Sequence, residues 1–75
     1  MKRAGTVVRT AQGLAVVRCP GERHPDIGAD AVDQDLESVG RVVDVFGPVE
    51  RPYLAVTPAE GRRLATLLGE TLYVR

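Results

Sequence analysis

Residues Val39 to Val56, VGRVVDVFGPVERPYLAV, decide the fold of this chain. Two apolar runs, residues 39–46 and 53–56, are rich in valine and aromatic side chains, which fit a pleated sheet. Gly47-Pro48 between them is a turn signal. The stretch therefore predicts two strands joined by a turn.

The turn itself is unusually apolar. Solvated turns are mostly polar, yet this one carries Phe46, Pro48 and Val49. Such a tip either folds back onto the core, with Phe46 and Tyr53 as core residues, or is buried against another molecule. The second alternative predicts a binding surface, and its candidate residues are Phe46, Gly47, Pro48, Val49, Arg51, Pro52 and Tyr53.

Within residues 39–46, strict alternation divides the side chains between two largely apolar faces, so we expect both faces to be at least partly covered. Asp44 interrupts the valines. We expect a structural carboxylate that accepts backbone N–H bonds near the turn, or an exposed one, and recognition of a partner is the alternative. Gly40 is the other residue of this run to which we assign a structural role.

The rest of the chain adds short strands. We predict them at Gly5–Arg9, Leu14–Arg18, Ala31–Asp33 and Thr71–Val74, with Gln12-Gly13 as a tight connection between the first two. About six strands with little helix predict an all-β fold, a small six-stranded closed barrel, because closure removes exposed strand edges.

One short helix is predicted after the last strand of the central stretch. Thr57 would be its N-cap, Pro58 its first residue and Glu60 the capping-box partner. Gly69 would end it. Gly61 argues against this helix, because glycine inside a helix destabilises it by roughly 1 kcal/mol relative to alanine.

Composition limits the function classes. The chain has 75 residues, which predicts one domain over residues 1–75, and its net charge is zero. Residues 1–21 hold four basic residues and no acid, whereas residues 22–37 hold six acids and one arginine. Nucleic-acid-binding domains usually have a basic surplus, so RNA binding by the chain alone is not expected. The acidic run could attract a basic partner, but a solvated loop is the simpler interpretation.

Catalytic and metal chemistry have few candidates. Cys19 and His24 do not make up the four ligands of a structural zinc site, and a Cys-His nucleophile needs a third, orienting group. We therefore expect no enzyme activity, no metal, no cofactor and no small-molecule substrate. A single cysteine fits a reducing cytoplasm, and no apolar run is long enough to span a bilayer.

The central motif also supports a family assignment. Gly40–Val49, followed by Pro52-Tyr53, resembles the signature of the small glycine-arginine-rich-protein family of H/ACA ribonucleoproteins. Similar residues extend to both ends of the chain, at Met1–Gly5, Gln12-Gly13, Val32-Asp33 and Gly69–Val74. There is no Gly-Arg repeat or basic tail, so the chain resembles the archaeal, tail-less form.

This resemblance implies a barrel like the second domain of translation elongation factors. It also implies a non-catalytic subunit that docks directly on a dyskerin-type pseudouridine synthase and promotes substrate loading and product turnover in rRNA pseudouridylation. The H/ACA guide RNA and the other particle proteins would be indirect partners, and no membrane is implied. Two alternatives are a free-standing RNA-binding barrel and the related H/ACA assembly factor, whose members normally carry long extensions.

Overall fold

The computed structural model describes residues 2–75 and shows six β-strands. The strands are β1 (Lys2–Ala11), β2 (Leu14–Arg18), β3 (Asp30–Val32), β4 (Ser38–Phe46), β5 (Tyr53–Pro58) and β6 (Thr71–Val74). They form a closed barrel in the order β1-β2-β5-β4-β3-β6, and every neighbouring pair is antiparallel. The prediction of a six-stranded closed barrel is confirmed. No helix within residues 2–75 is long and apolar enough to cross a membrane.

Small and β-branched side chains fill the barrel. The core cluster consists of Ala4, Val7, Ala15, Val17, Cys19, Ala31, Val39, Val42, Leu54, Val56, Leu67 and Leu72. Full burial of a valine or leucine side chain is worth about 1.5–3 kcal/mol. Because β2 and β5 lie side by side and each contributes two of these residues, the β2–β5 pair is well anchored in the core.

The β1–β2 connection follows the sequence prediction. Ala11 pairs with Leu14, which leaves Gln12 and Gly13 as a two-residue turn. Both have positive φ, 53° and 77°, as a type I′ turn requires.

The predicted helix start is wrong. Thr57 and Pro58 belong to β5, where Pro58 pairs with Gly40, and the Ala59 N–H donates to the carbonyl of Val39 at 2.7 Å. Pairing with β4 therefore keeps this segment extended. Gly61 then turns the chain with a φ of 84°. The helical piece is a single 3-10 turn, Leu64–Leu67, whose buried Leu67 closes one end of the core.

The predicted alternation of residues 39–46 is also wrong. The β4–β5 register shifts between Val42 and Asp44, so the strand contains a β-bulge and Val43 is the extra residue. Val39 and Val42 face the core, whereas Val43 is 41% exposed. One face of this strand is therefore partly uncovered in the isolated chain.

Gly40 has a clear structural role. A Cβ atom at this position would overlap the backbone carbonyl oxygen of Thr57 on the neighbouring strand. Gly5 stands in the same relation to the carbonyl of Arg18. Both contacts are with backbone, which cannot rotate away, so only glycine allows these strands to approach so closely.

Candidate interaction site at the β4–β5 tip

The connection between β4 and β5, together with the strand residues Phe46 and Tyr53 that flank it, is called the tip below (residues 46–53). Val49 is 82% exposed, and Phe46 is 37% exposed. Neither residue, nor Tyr53, belongs to the core cluster. The tip therefore does not fold back into the core, and its apolar side chains are available in the isolated chain.

Phe46, Tyr53 and Arg18 form a row across three strands. Phe46 pairs with Tyr53, and Tyr53 pairs with Arg18. The two aromatic rings are stacked, with centroids 5.6 Å apart and planes inclined by 20°. The Arg18 guanidinium carbon lies 5.7 Å from the Tyr53 ring centre, within range of a cation–π contact. Tyr53 is half-buried between these neighbours, which fix its orientation.

Gly47 allows the tip to turn beside this row. Its φ is 88°, a conformation that other residues rarely adopt. A Cβ atom at Gly47 would also lie 2.8 Å from Cδ2 of Tyr53. A side chain here would therefore strain the backbone and displace the tyrosine ring.

One backbone and one side-chain hydrogen bond attach the tip to Cys19, the residue after β2. The Cys19 N–H donates to the Pro52 carbonyl at 3.0 Å, and Arg51 Nε–H donates to the Cys19 carbonyl at 3.1 Å. The Arg51 N–H donates to the Pro48 carbonyl at 3.2 Å within the tip. Pro52 is buried. Arg51 and Pro52 thus hold the tip in place, while Phe46, Pro48 and Val49 remain at its surface.

A shallow depression of about 200 Å³ lies beside the tip. It is lined by Val45, Phe46, Gly47, Pro48, Val49 and Pro52 together with Glu22 and His24. The sequence did not indicate the last two as neighbours of the tip, because they lie in an irregular loop whose course follows no residue pattern. They give the apolar depression one polar wall.

Asp44 lies on β4, ahead of the tip. Its Oδ1 accepts a hydrogen bond from the N–H of Val45 at 2.8 Å, which is the kind of structural contact predicted for it. The residue is exposed, so its second oxygen faces a surface that a partner could reach.

Cys19 and His24 do not form a reactive pair. Cys19 is fully buried in the core, and burial raises the pKa of its thiol, which disfavours the thiolate that nucleophiles and metal ligands need. His24 Nδ1 is instead 2.9 Å from the carbonyl oxygen of Pro25. Within residues 2–75 no three His, Cys, Asp or Glu residues are grouped so as to hold a metal ion.

A basic patch for direct RNA contact would need arginines of neighbouring strands to lie together, and the candidates are Arg3, Arg9, Arg18 and Arg41. Arg3 and Arg9 are on β1 and Arg18 is on β2, but Arg41 is on β4, and β5 separates β4 from β2. The barrel therefore does not bring them into one compact group.

The sequence of this chain matches a known protein family. The model of the Gar1/Naf1 RNA binding region matches residues 1–75. The chain belongs to the Gar1/Naf1 family. An uncharacterized protein of Methanothermobacter thermautotrophicus is 31% identical over 78 residues, covering 99% of this chain and 83% of that protein. An uncharacterized protein of Methanocaldococcus jannaschii is 36% identical over 50 residues, covering 67% of this chain and 58% of that protein.

The fold has a solved relative. The structure of the Gar1 domain of Naf1 matches with a TM-score of 0.76, covering 97% of this chain and 79% of that one. Sequence identity between the two is 17%, so this likeness concerns the fold alone.

Proposed function

We propose that this chain is a single-domain, non-catalytic subunit of a cytoplasmic H/ACA guide ribonucleoprotein that docks through its tip on the dyskerin-type pseudouridine synthase. Membership of the Gar1/Naf1 family supports the particle. The observation that carries the docking site is the exposed Val49 on a tip whose backbone is tied to the barrel. The contact surface would comprise the exposed residues of the tip, supported from below by Arg51, Pro52 and Tyr53.

A preformed tip favours protein recognition. The stacked Phe46–Tyr53 pair and the bonds to Cys19 fix the tip before a partner arrives. Ordering an interface loop costs free energy on binding, and a loop that is already ordered avoids much of this cost. Phe46, Pro48 and Val49 also have the character of the buried centre of an interface, where aromatic residues are enriched and charges are depleted, and the charged Glu50 and Arg51 would lie toward its rim.

The subunit would act on substrate handling, without taking part in bond making. Its single cysteine, Cys19, is buried, and burial raises the pKa of its thiol, while Asp33, the carboxylate with a lowered pKa, is engaged by Arg62. Docked on the synthase, the barrel can bias a mobile segment of the enzyme between two positions if it contacts one of them better. Substrate loading and product release would then respond to it. No cofactor takes part, and the guide RNA contacts it only through the assembled particle.

A second candidate is direct RNA binding by the free barrel, and the description of the matching family model favours it. The zero net charge weighs against this candidate, because affinity for RNA comes largely from neutralised phosphates. A third candidate is that the chain is the related H/ACA assembly factor, which would dock on the synthase through the same barrel.

The decisive experiment is a calorimetric titration of the purified chain into the pseudouridine synthase of the same organism. We expect Val49→Asp and Phe46→Ala to weaken binding by about 2 kcal/mol, roughly 30-fold, as for apolar anchors at an interface centre. Leu36→Asp is the matched control, because Leu36 is also exposed and also lies next to an acidic residue, but in the β3–β4 loop, at the other end of β4 from the tip.

Thermal unfolding of each free variant separates binding from folding. If wild-type protein does not bind the synthase, the proposal is wrong. It is equally wrong if the folded fraction of both tip variants binds as tightly as the control.

A further inference from the structure

A cleft of about 510 Å³, called the basic cleft below, lies where β1 begins and β6 ends. Its basic residues come from three separate parts of the chain: Lys2, Arg3, Arg23 and Arg75. Glu22 and Asp26 are the carboxylates that line the same cleft. The cleft therefore carries a positive surplus, although the net charge of the whole chain is zero.

Strand pairing brings the two ends of the described chain to this cleft. Lys2 of β1 pairs with Val74 of β6, which sets Arg75 beside the start of β1. The loop after β2 then adds Arg23 from the other side. This group differs from the basic patch that the sequence suggested, and Arg3 is the one residue that the two have in common.

The positive charges of the cleft are not neutralised by neighbouring carboxylates. Within residues 2–75 the side chains of Lys2, Arg3 and Arg23 take part in no hydrogen bond or salt bridge. Arg75 Nη2 donates to the carbonyl oxygen of Leu36 at 3.1 Å, and a carbonyl carries no net charge. All four cations thus remain available to an anionic ligand.

The floor of the basic cleft is apolar and fixed. Its half-buried lining residues are Pro25, Ala29 and Val74, of which Ala29 and Val74 pack against the core cluster. The Gly28 N–H donates to the Val42 carbonyl at 2.8 Å, and the Val42 N–H donates to the Ala29 carbonyl at 3.0 Å. These bonds hold the loop against β4, so the cleft is formed before a ligand arrives.

Size and chemistry together select a class of ligand. The volume lies in the range of pockets that hold one small organic molecule. Guanidinium groups match the geometry of phosphate, whereas an apolar floor accepts the face of a flat ring. The exposed His24 adds an aromatic ring to the wall, and bases stack on such rings. A ligand that joins a phosphate to a flat ring uses both halves of the cleft.

We infer that the basic cleft binds a phosphorylated nucleotide, with its phosphate among the four cations and its base over Pro25 and Ala29. The nucleotide is either free or part of a single-stranded RNA, since both sources present the same phosphate and base. Nucleotide binding at this cleft goes beyond the proposed function and is independent of docking at the tip.

The position of the cleft gives a weak contact a use. Four cations neutralise few phosphates, so the affinity is low, in agreement with the zero net charge of the chain. Glu22 and His24 line both the basic cleft and the depression beside the tip. An RNA strand held near a partner at the tip would therefore be close to the cleft, and its raised effective concentration favours occupancy.

The test is an NMR titration of the isotope-labelled chain with four probes: pentauridylate, uridine 5′-monophosphate, uridine and inorganic phosphate. We expect the amide signals of Arg3, Arg23 and Ala29 to shift with both phosphorylated uridine probes, with dissociation constants of about 100 µM or weaker at physiological salt. Uridine should cause no shift, and inorganic phosphate should bind more weakly because it leaves the floor uncovered. Tighter binding of pentauridylate than of the mononucleotide identifies RNA as the source, and equal affinities identify the free nucleotide.

Charge-reversal variants locate the binding. Arg3→Glu/Arg23→Glu changes the cleft, and Arg9→Glu/Arg63→Glu makes the same change of charge at two exposed arginines that do not line it. We expect the cleft variant to weaken pentauridylate binding by about tenfold or more, and the control by less than about threefold because distant charges are screened. Arg23→Gln in the exposed loop replaces the double variant if that protein fails to fold, with an expected weakening of about threefold.

Four outcomes overturn the inference. The control variant weakens binding as much as the cleft variant, so the attraction comes from overall charge. Inorganic phosphate binds as tightly as the mononucleotide, or uridine shifts the same signals as the mononucleotide does. No probe shifts the cleft signals at all. The titrations into the synthase use different variants and a different partner, so each of these results leaves the proposed function to its own test.

Discussion

Arg62 Nη2 donates a hydrogen bond to Oδ2 of Asp33 at 2.7 Å, which is the one salt bridge within residues 2–75. The other oxygen of Asp33 accepts the N–H groups of Asp35 and Glu37 at 2.9 and 3.1 Å, and Arg62 Nε–H donates to the Ser38 carbonyl at 3.1 Å. One carboxylate thus shapes the β3–β4 loop and attaches it to the segment after β5. Charge-assisted bonds of this kind are stronger than neutral ones.

This arrangement predicts a pH dependence of stability. The hydrogen bond from Arg62, followed by the backbone bonds, holds the pKa of Asp33 below its ordinary value of about 4. A carboxyl whose folded pKa is lowered stabilises the fold at pH values above its unfolded pKa, and this contribution is lost as the pH falls through the folded pKa. We expect the difference in urea midpoint between wild type and Asp33→Asn to be largest near neutral pH and to shrink below about pH 4.

Asp26→Asn is the control for that measurement, since no hydrogen bond of the Asp26 side chain occurs within residues 2–75. A constant difference between wild type and Asp33→Asn from neutral to strongly acidic pH would show that the charge of Asp33 does not contribute.

The contact between Gly40 and the Thr57 carbonyl predicts a large effect of one methyl group. Gly40→Ala must push β4 and β5 apart, because the backbone fixes the positions of both the new Cβ atom and the carbonyl oxygen of Thr57. Overpacking of this kind costs about 3 kcal/mol. Gly21→Ala is the control, since a Cβ there meets nothing within 4 Å, and we expect it to change stability by less than about 0.5 kcal/mol. Equal urea midpoints for the two variants would contradict the close approach at Gly40.

Local residue chemistry predicted the strands well. β2 and β6 have the predicted bounds, and the Gln12-Gly13 turn has the predicted positive φ. The helix at Thr57 failed because its capping signals are local, whereas pairing of Pro58 with Gly40 is a long-range contact that keeps the segment extended. Propensity is a weak prior when tertiary pairing opposes it.

The surface was predicted less completely than the fold. An apolar turn is visible in the sequence, so Phe46, Pro48 and Val49 could be named. The exposure of Val8 and Val43 could not be predicted, because a β-bulge depends on the register between two strands. Strict alternation would instead place Val43 on a covered face. Arg18 beside Tyr53 likewise follows only from the β2–β5 pairing.

The isolated chain should bind guide RNA weakly or not at all. Its net charge is zero, so we expect at most weak, sequence-independent binding through phosphate contacts. Such non-specific binding has dissociation constants of about 1–100 µM at physiological salt. A fluorescence-anisotropy titration with labelled guide RNA, repeated at two salt concentrations, checks this. Submicromolar affinity that falls steeply with added salt would instead support a free-standing RNA-binding barrel.

Its effect on the synthase should depend on the kinetic regime. We expect the subunit to raise multiple-turnover pseudouridylation much more than single-turnover pseudouridylation, because the proposed role is to bias a mobile segment and product release and not to take part in the chemical step. Rates with and without the chain, first at excess enzyme and then at excess substrate, test this. Equal stimulation in both regimes would indicate a role in positioning or chemistry, and no stimulation in either would contradict a role in turnover.

The barrel is not closed with equal strength all the way round. Between β3 and β6 only Ala31–Val74 and Val32–Tyr73 are paired, whereas β4 and β5 share six paired positions. In the ring of strands this seam lies opposite the β2–β5 pair, and it involves neither of the two strands that the tip joins, β4 and β5. The barrel can therefore open transiently at the seam while the tip, held by the longer β4–β5 pairing and by the hydrogen bond from Cys19 to Pro52, keeps its shape. Local opening and binding thus involve different strand pairs of one small protein, so transient opening of the β3–β6 seam need not weaken binding at the tip.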